Sequence, residues 1–126
     1  MSLRTPLSKV RGLGSAKDGT EHWWHQRVTA VANIPLVLIF AFVLINAVGK
    51  SHAEVAALLG SPVVVIALLM MIGSITWHMR LGMQVIIEDY VSSEGRKIAA
   101  LMANTFFCAA MAVAGGFAIL KLGFAS

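Results

Sequence analysis

An all-α membrane protein of three transmembrane helices is the fold class this sequence predicts, and three observations carry the prediction. Apolar types make up 58% of the 126 residues and charged types only 13%, against about 25% charged in an ordinary soluble domain. Three apolar stretches, residues 28–48, 63–87 and 98–120, are each long enough to cross a hydrocarbon core, which takes about 20 helical residues. The runs at 36–45 and 63–72 do not alternate polar and apolar positions. A barrel, the other structure that satisfies its backbone in lipid, needs that alternation. The same composition excludes a disordered chain, a coiled coil, a disulfide scaffold and a soluble enzyme. Cys108 is the single cysteine, so neither an intrachain disulfide nor a CxxC motif exists.

Residues 1–20 are polar, basic and rich in Gly and Ser; they read as an N-terminal arm preceding one three-helix domain over 21–126. Arg4, Lys9 and Arg11 precede the first acid, Asp18, a pattern shared by mitochondrial targeting segments and by the cytoplasmic tail of a bacterial protein. The tail is the reading adopted, because a long apolar helix follows closely. The first span, 28–48, carries no charge and is interrupted by Asn33, Pro35 and Asn46. Pro35 removes one backbone hydrogen bond and is expected to bend the helix. The third span, 98–120, holds Ala109, Ala110, Ala112, Ala114, Gly115 and Gly116, small residues that let helices approach closely in lipid.

Basic residues set the orientation. Arg4, Lys9, Arg11, Lys17 and Arg27 precede the first span, Lys50 alone lies in the first loop, Arg96 and Lys97 lie in the second, and Lys121 marks the far end. The positive-inside rule puts the N-terminus and second loop in the cytoplasm. The net charge of +4 is thereby assigned to membrane anchoring and not to nucleic acid. Three helices make a thin bundle, so one face is expected to pack on another membrane protein.

The second span alone carries ionisable groups in its body, within Trp77-His78-Met79-Arg80-Leu81-Gly82-Met83-Gln84. Such groups are expensive in a membrane and tend to be functional. His78 lies eleven residues before Asp89, about 16 Å along the helix, which puts it near the middle of the core if Asp89 marks the surface. A neutral imidazole there hydrogen-bonds a neighbouring helix, relays protons or binds a metal such as a haem iron. Gly82 shares its face one turn away and leaves room either for a flat macrocycle or for a packed helix. His22-Trp23-Trp24-His25-Gln26-Arg27 precedes the first span; the tryptophans suit an interfacial belt, and Arg27 suits either a positive-inside anchor or a carboxylate partner. Asp89-Tyr90 ends the second span, where a tyrosine hydroxyl can donate to a quinone carbonyl or simply anchor the helix at the interface.

The stretch His78-x3-Gly82-x-Gln84-Val85-x3-Asp89-Tyr90-Val91 resembles the second transmembrane helix of the succinate dehydrogenase hydrophobic membrane anchor family, in its alphaproteobacterial and mitochondrial branch. The segment His22-Trp23-x3-Arg27-Val28 resembles the approach to the first helix of that anchor. The resemblance implies a bacterial inner-membrane, multi-pass component of succinate:ubiquinone oxidoreductase with no dehydrogenase site of its own. Its implied partners are a second membrane anchor of cytochrome b type, an iron–sulfur protein, a flavoprotein and membrane lipid. It also implies a b-type haem shared with the cytochrome b-type anchor, with His78 as one axial ligand to the iron. Tyr90 is then a ubiquinone ligand supported by Asp89, and Arg27 and His22 lie near the haem propionates or the mouth of the quinone site. The anchor of a related fumarate reductase is the near alternative; a non-redox membrane assembly or transport protein, using His78 and Arg80 as a proton path, is the distant one. Arg80 has no place in the motif.

Overall fold

The computed structural model describes residues 5–12 and 18–124. They form five helices: α1 (Pro6–Val10), α2 (Asp18–Ala47), α3 (His52–Gly60), α4 (Pro62–Tyr90) and α5 (Glu94–Phe124). No strand occurs among the described residues. Helices α2, α4 and α5 are long and apolar enough to cross a membrane. The three expected spans fall within them, save that Val48 follows the end of α2. Each helix runs past its apolar stretch at the end where α2 begins, α4 stops and α5 starts. Part of the expected N-terminal arm is therefore helical, in α1 and in the first turn of α2; Arg4 and Lys17 lie outside the described residues.

Local chemistry explains the breaks. Gly49 adopts a φ of 77°, a left-handed conformation that glycine reaches without strain, and turns the chain after α2. The first loop, a plain connection in the sequence reading, is largely helix α3. Its start is a capping box: the Ser51 backbone N–H donates to Glu54 Oε2 at 2.8 Å, and the Glu54 N–H donates to Ser51 Oγ at 3.4 Å. The Ser51 hydroxyl also donates to Glu54 Oε2 at 2.6 Å. The two bonds that the carboxylate accepts, the hydroxyl's first, hold Glu54 below its ordinary pKa, with a smaller contribution from Lys50. Ser51 and Glu54 are three residues apart and precede the apolar residues Val55, Leu58 and Leu59. Ser61 closes α3 and opens α4 with an extended ψ of 138°. That conformation is what the following Pro62 demands of its predecessor, and Pro62 suits the first turn of a helix. Helix α2 continues through Pro35 without ending there.

The three long helices form a row with α4 in the middle. It packs on both α2 and α5, and among the described residues the backbones of α2 and α5 do not approach each other closely. Small residues set the α4–α5 approach: a Cβ on Gly115 would lie 2.9 Å from Ile72 Cγ1, and one on Gly123 would lie 3.1 Å from Val65 Cγ2. Gly116 has open space instead, and Ala109, Ala110 and Ala114 face outward. The buried residues are few, chiefly Leu36, Val43, Leu68, Leu81, Ile87 and Cys108. Large apolar side chains such as Ile34, Val113 and Phe117 are mostly exposed. In water that surface would be an aggregation liability; in lipid it is a solvent-matched exterior.

Candidate functional site

A line of polar side chains crosses the α2–α4 interface. Counting along α2, His22, Gln26, Thr29 and Asn33 recur at helical spacing and share one face. Ser74 donates to Asn33 Oδ1 at 2.6 Å and lies 3.4 Å from the Thr29 carbonyl. One turn on, Thr29 Oγ1 and His78 Nδ1 are 3.0 Å apart. One turn further, a Cβ on Gly82 would meet Gln26 Nε2 at 3.7 Å, an ordinary contact. The space beside Gly82 is therefore bordered by a polar side chain of α2.

Thr29 has partners in its own helix as well. The Thr29 hydroxyl is 2.8 Å from the His25 carbonyl and 3.1 Å from that of Gln26, so its single proton is directed back into its own helix. With its proton there, Thr29 Oγ1 can accept from His78 in the tautomer protonated at Nδ1. His78 Nε2 makes no hydrogen bond among the described residues, and it is not among the enclosed unpartnered atoms. An imidazole with one nitrogen held by a neighbouring helix and the other unbonded has the arrangement that metal-binding histidines use.

Counts along the two helices place His78 differently. Along α4 it lies eleven residues, about 16 Å, from Asp89. Across the interface it is level with Thr29, one residue inside the uncharged run that begins at Val28. His78 is thus near one end of that run and not at its middle. By this register residues 22–26 of α2 lie alongside about 82–86 of α4, so polar groups face a stretch that α4 itself reads as membrane. His22 Nε2 is enclosed there with no hydrogen-bond partner, and a buried polar atom left unpaired calls for a missing partner.

The other expected site residues are spread around this end of the row. Arg27 is exposed over the Trp23 ring at 5.7 Å and does not join His22. His25 sits 3.6 Å from Glu21 and edge-on to Trp77, and no group of three metal-ligating side chains occurs among the described residues. Tyr90 is 84% exposed at the last residue of α4. Neither Tyr90 nor Asp89 makes a side-chain hydrogen bond among the described residues; the adjacent Glu88 accepts from Gln84 at 2.8 Å. The sequence reading missed Gln26, Thr29 and Ser74, although the recurrence of 22, 26, 29 and 33 was its available signal.

Residues 1–112 match the model of the succinate dehydrogenase/fumarate reductase transmembrane subunit family. The chain belongs to this family. A succinate dehydrogenase hydrophobic membrane anchor subunit from Paracoccus denitrificans is 34% identical over 125 residues, covering 98% of this chain and 95% of that one. The subunit of the same name from Rickettsia bellii is 37% identical over 93 residues, 71% and 72% of the two chains. A succinate dehydrogenase membrane anchor subunit from Reclinomonas americana is 35% identical over 88 residues, 68% and 73%. No solved structure matches. The chain is accordingly a multi-pass inner-membrane anchor subunit.

Proposed function

We propose that this anchor serves succinate:ubiquinone oxidoreductase, holding a b-type haem through His78 and presenting Tyr90 to ubiquinone. The N-terminus and the α4–α5 turn face the cytoplasm in this reading, because Arg27, Arg96 and Lys97 flank the spans on that side. The observation that carries it is the 3.0 Å contact of Thr29 Oγ1 with His78 Nδ1 between two membrane-spanning helices, with Nε2 making no hydrogen bond among the described residues. The residues present fit a haem: an imidazole with its Nε2 unbonded, a glycine one turn away and, at the same end of α2, an enclosed His22 Nε2 without a partner. A haem bound there supplies a one-electron centre of low polarity. A partner anchor would supply a further ligand to the haem iron.

The chain's own work is binding and proton handling. Tyr90 donates its hydroxyl proton to a quinone carbonyl, and the bond strengthens as the carbonyl oxygen gains charge on reduction. Asp89 beside it returns a proton from the cytoplasmic surface. Two electrons arrive from an iron–sulfur protein, two protons from water, and ubiquinol leaves into the lipid. Succinate oxidation happens on a flavoprotein outside the membrane. The test is co-purification: a tagged anchor should bring down flavin, iron–sulfur and haem spectra with succinate-to-ubiquinone activity. A preparation with no chromophore would overturn the reading.

The hydrogen bond itself predicts a graded effect. Thr29→Val keeps the shape and removes the acceptor, leaving the His78 Nδ1 proton unpaired. Outer-shell losses of this kind cost roughly 10- to 100-fold in metal affinity, so haem retention in detergent should fall by that order. The paramagnetic resonance signal of the remaining haem should shift. Thr29→Ser should restore both. Unchanged haem retention and an unchanged signal in Thr29→Val would show that the bond only packs α2 on α4.

A further inference from the structure

Arg80 stands outside everything assigned above. It is two residues from His78, about 200° around α4, and its contacts are with α5. The α4–α5 pair also fixes its depth. The two helices run antiparallel, with Arg80 beside Asn104 and Thr105, and Ile72 beside Gly115. Residues 81–87 of α4 and 98–104 of α5 carry no charge. Arg80 thus sits about 10 Å inside the uncharged length of both helices, short of the surface that Asp89 marks. Ionisable side chains inside a membrane face a bundle interior or pair with a group of opposite sign. Within this chain Arg80 has neither. A guanidinium offers five N–H donors. Nε reaches Thr105 Oγ1 at 3.4 Å, and the guanidinium carbon lies 5.6 Å from the exposed Trp77 ring. The other donors make no hydrogen bond, and no carboxylate lies within ion-pair distance, among the described residues.

The surroundings describe what could stand there. Trp77 also meets His25 edge-on, and His25 sits 3.6 Å from Glu21. His25, Trp77, Arg80 and Thr105 therefore link α2, α4 and α5 along one face of the row. Arg80 and Thr105 line a groove of about 380 Å³ on that face, which continues along Cys108, Ala109 and Ala112. The Thr76 hydroxyl at its base is spent on the Ile72 carbonyl at 2.6 Å. The groove is thus one unpaired cation beside small side chains, and small side chains let a further helix approach closely in lipid. We infer that a transmembrane helix of a different polypeptide lies in this groove and carries an Asp or Glu at the level of Arg80. A planar guanidinium takes a carboxylate in paired hydrogen bonds, which would engage the donors left over. A second copy of this chain does not meet the requirement. Its six acids are at 18, 21, 54, 88, 89 and 94, all outside the three apolar stretches. Copies arranged about an axis along the membrane normal hold each residue at its own depth, so none brings an acid to that of Arg80. The inference rests on neither the haem nor the quinone assignment.

The test uses native membranes in which the anchor is assembled with its partners. A compact diazirine amino acid at position 109 is irradiated, and the cross-linked peptide is sequenced. It should come from a membrane span of another polypeptide, with an Asp or Glu about one turn from the cross-linked residue, because Ala109 is four residues from Thr105. Arg80→Glu then sets like charges together, and the amount of that polypeptide recovered with the anchor after detergent extraction should fall roughly tenfold or more. Replacing the partner's acid by arginine in the Arg80→Glu background should restore recovery, which separates a lost ion pair from a misfolded anchor. Ala112→Leu fills the groove, leaves the charge and should lower recovery as well. Cross-links to lipid alone, to a second copy, or to a span without an acid would overturn the inference. So would full recovery in Arg80→Glu or in Ala112→Leu, or a charge exchange that restores nothing.

Discussion

The complex carrying His78→Ala should show no low-spin b-type haem at all, in contrast to the partial loss expected for Thr29→Val. The two ring nitrogens have different commitments. Nδ1 is tied to Thr29 Oγ1 at 3.0 Å, and the hydroxyl proton is tied to the His25 carbonyl at 2.8 Å. Nε2 makes no hydrogen bond among the described residues and is the nitrogen left to bind a metal, and alanine removes it without a substitute. The helix pair should survive the change, because the Ser74–Asn33 bond and the buried Leu36 and Leu81 remain. A membrane fraction assembled to normal amounts but lacking the reduced-minus-oxidised band and the paramagnetic resonance signal is the expected result. Succinate oxidation assayed with an artificial acceptor should persist, since that chemistry lies on another protein of the complex. If band and signal are both unchanged, His78 is a packing histidine. If Thr29→Val proves more damaging than His78→Ala, the polar line serves the α2–α4 contact and not a ligand.

The same residues show which parts of the molecule were legible in the sequence. The spans were legible because each is a long charge-free or nearly charge-free run, and lipid leaves a helix as the only solution. Their ends were not, because charge does not stop a helix: α2 runs back through Arg27, His25 and Glu21 to Asp18, where polar side chains reach water or a partner without disturbing the backbone. Helix α3 was written in Ser51 and Glu54, a capping box ahead of an apolar run, and it was obscured by the expectation of a plain loop. Residues of distinctive type, His78 and Tyr90, could be picked out one at a time. Thr29 could not. A threonine in a membrane helix ordinarily bonds its own backbone, which it does here; its second partner depends on how α2 slides along α4, a register fixed by packing across the interface. The same slide put His78 level with Thr29, and no count along α4 alone reveals that.

Tyr90→Phe should slow quinone reduction by roughly 10- to 100-fold while succinate oxidation at the flavin stays as it was. The ring is 84% exposed at the end of α4 and its hydroxyl is uncommitted among the described residues, so phenylalanine removes a donor and disturbs little else. A hydrogen bond to a group that becomes charged is worth about 1.5–3 kcal/mol, and that difference in barrier sets the expected range. The bond matters more in the transition state than in the bound quinone, because the carbonyl oxygen gains basicity as electrons arrive; the loss should therefore fall on kcat more than on KM. Two assays on one preparation separate the cases. Succinate-to-ubiquinone turnover should fall, and turnover with an acceptor that draws electrons upstream of the quinone should not. If both fall together, the substitution has damaged assembly, and haem content will report it. If neither falls in an intact complex, Tyr90 is an interfacial anchor, and the quinone must take its hydrogen bond from a partner protein.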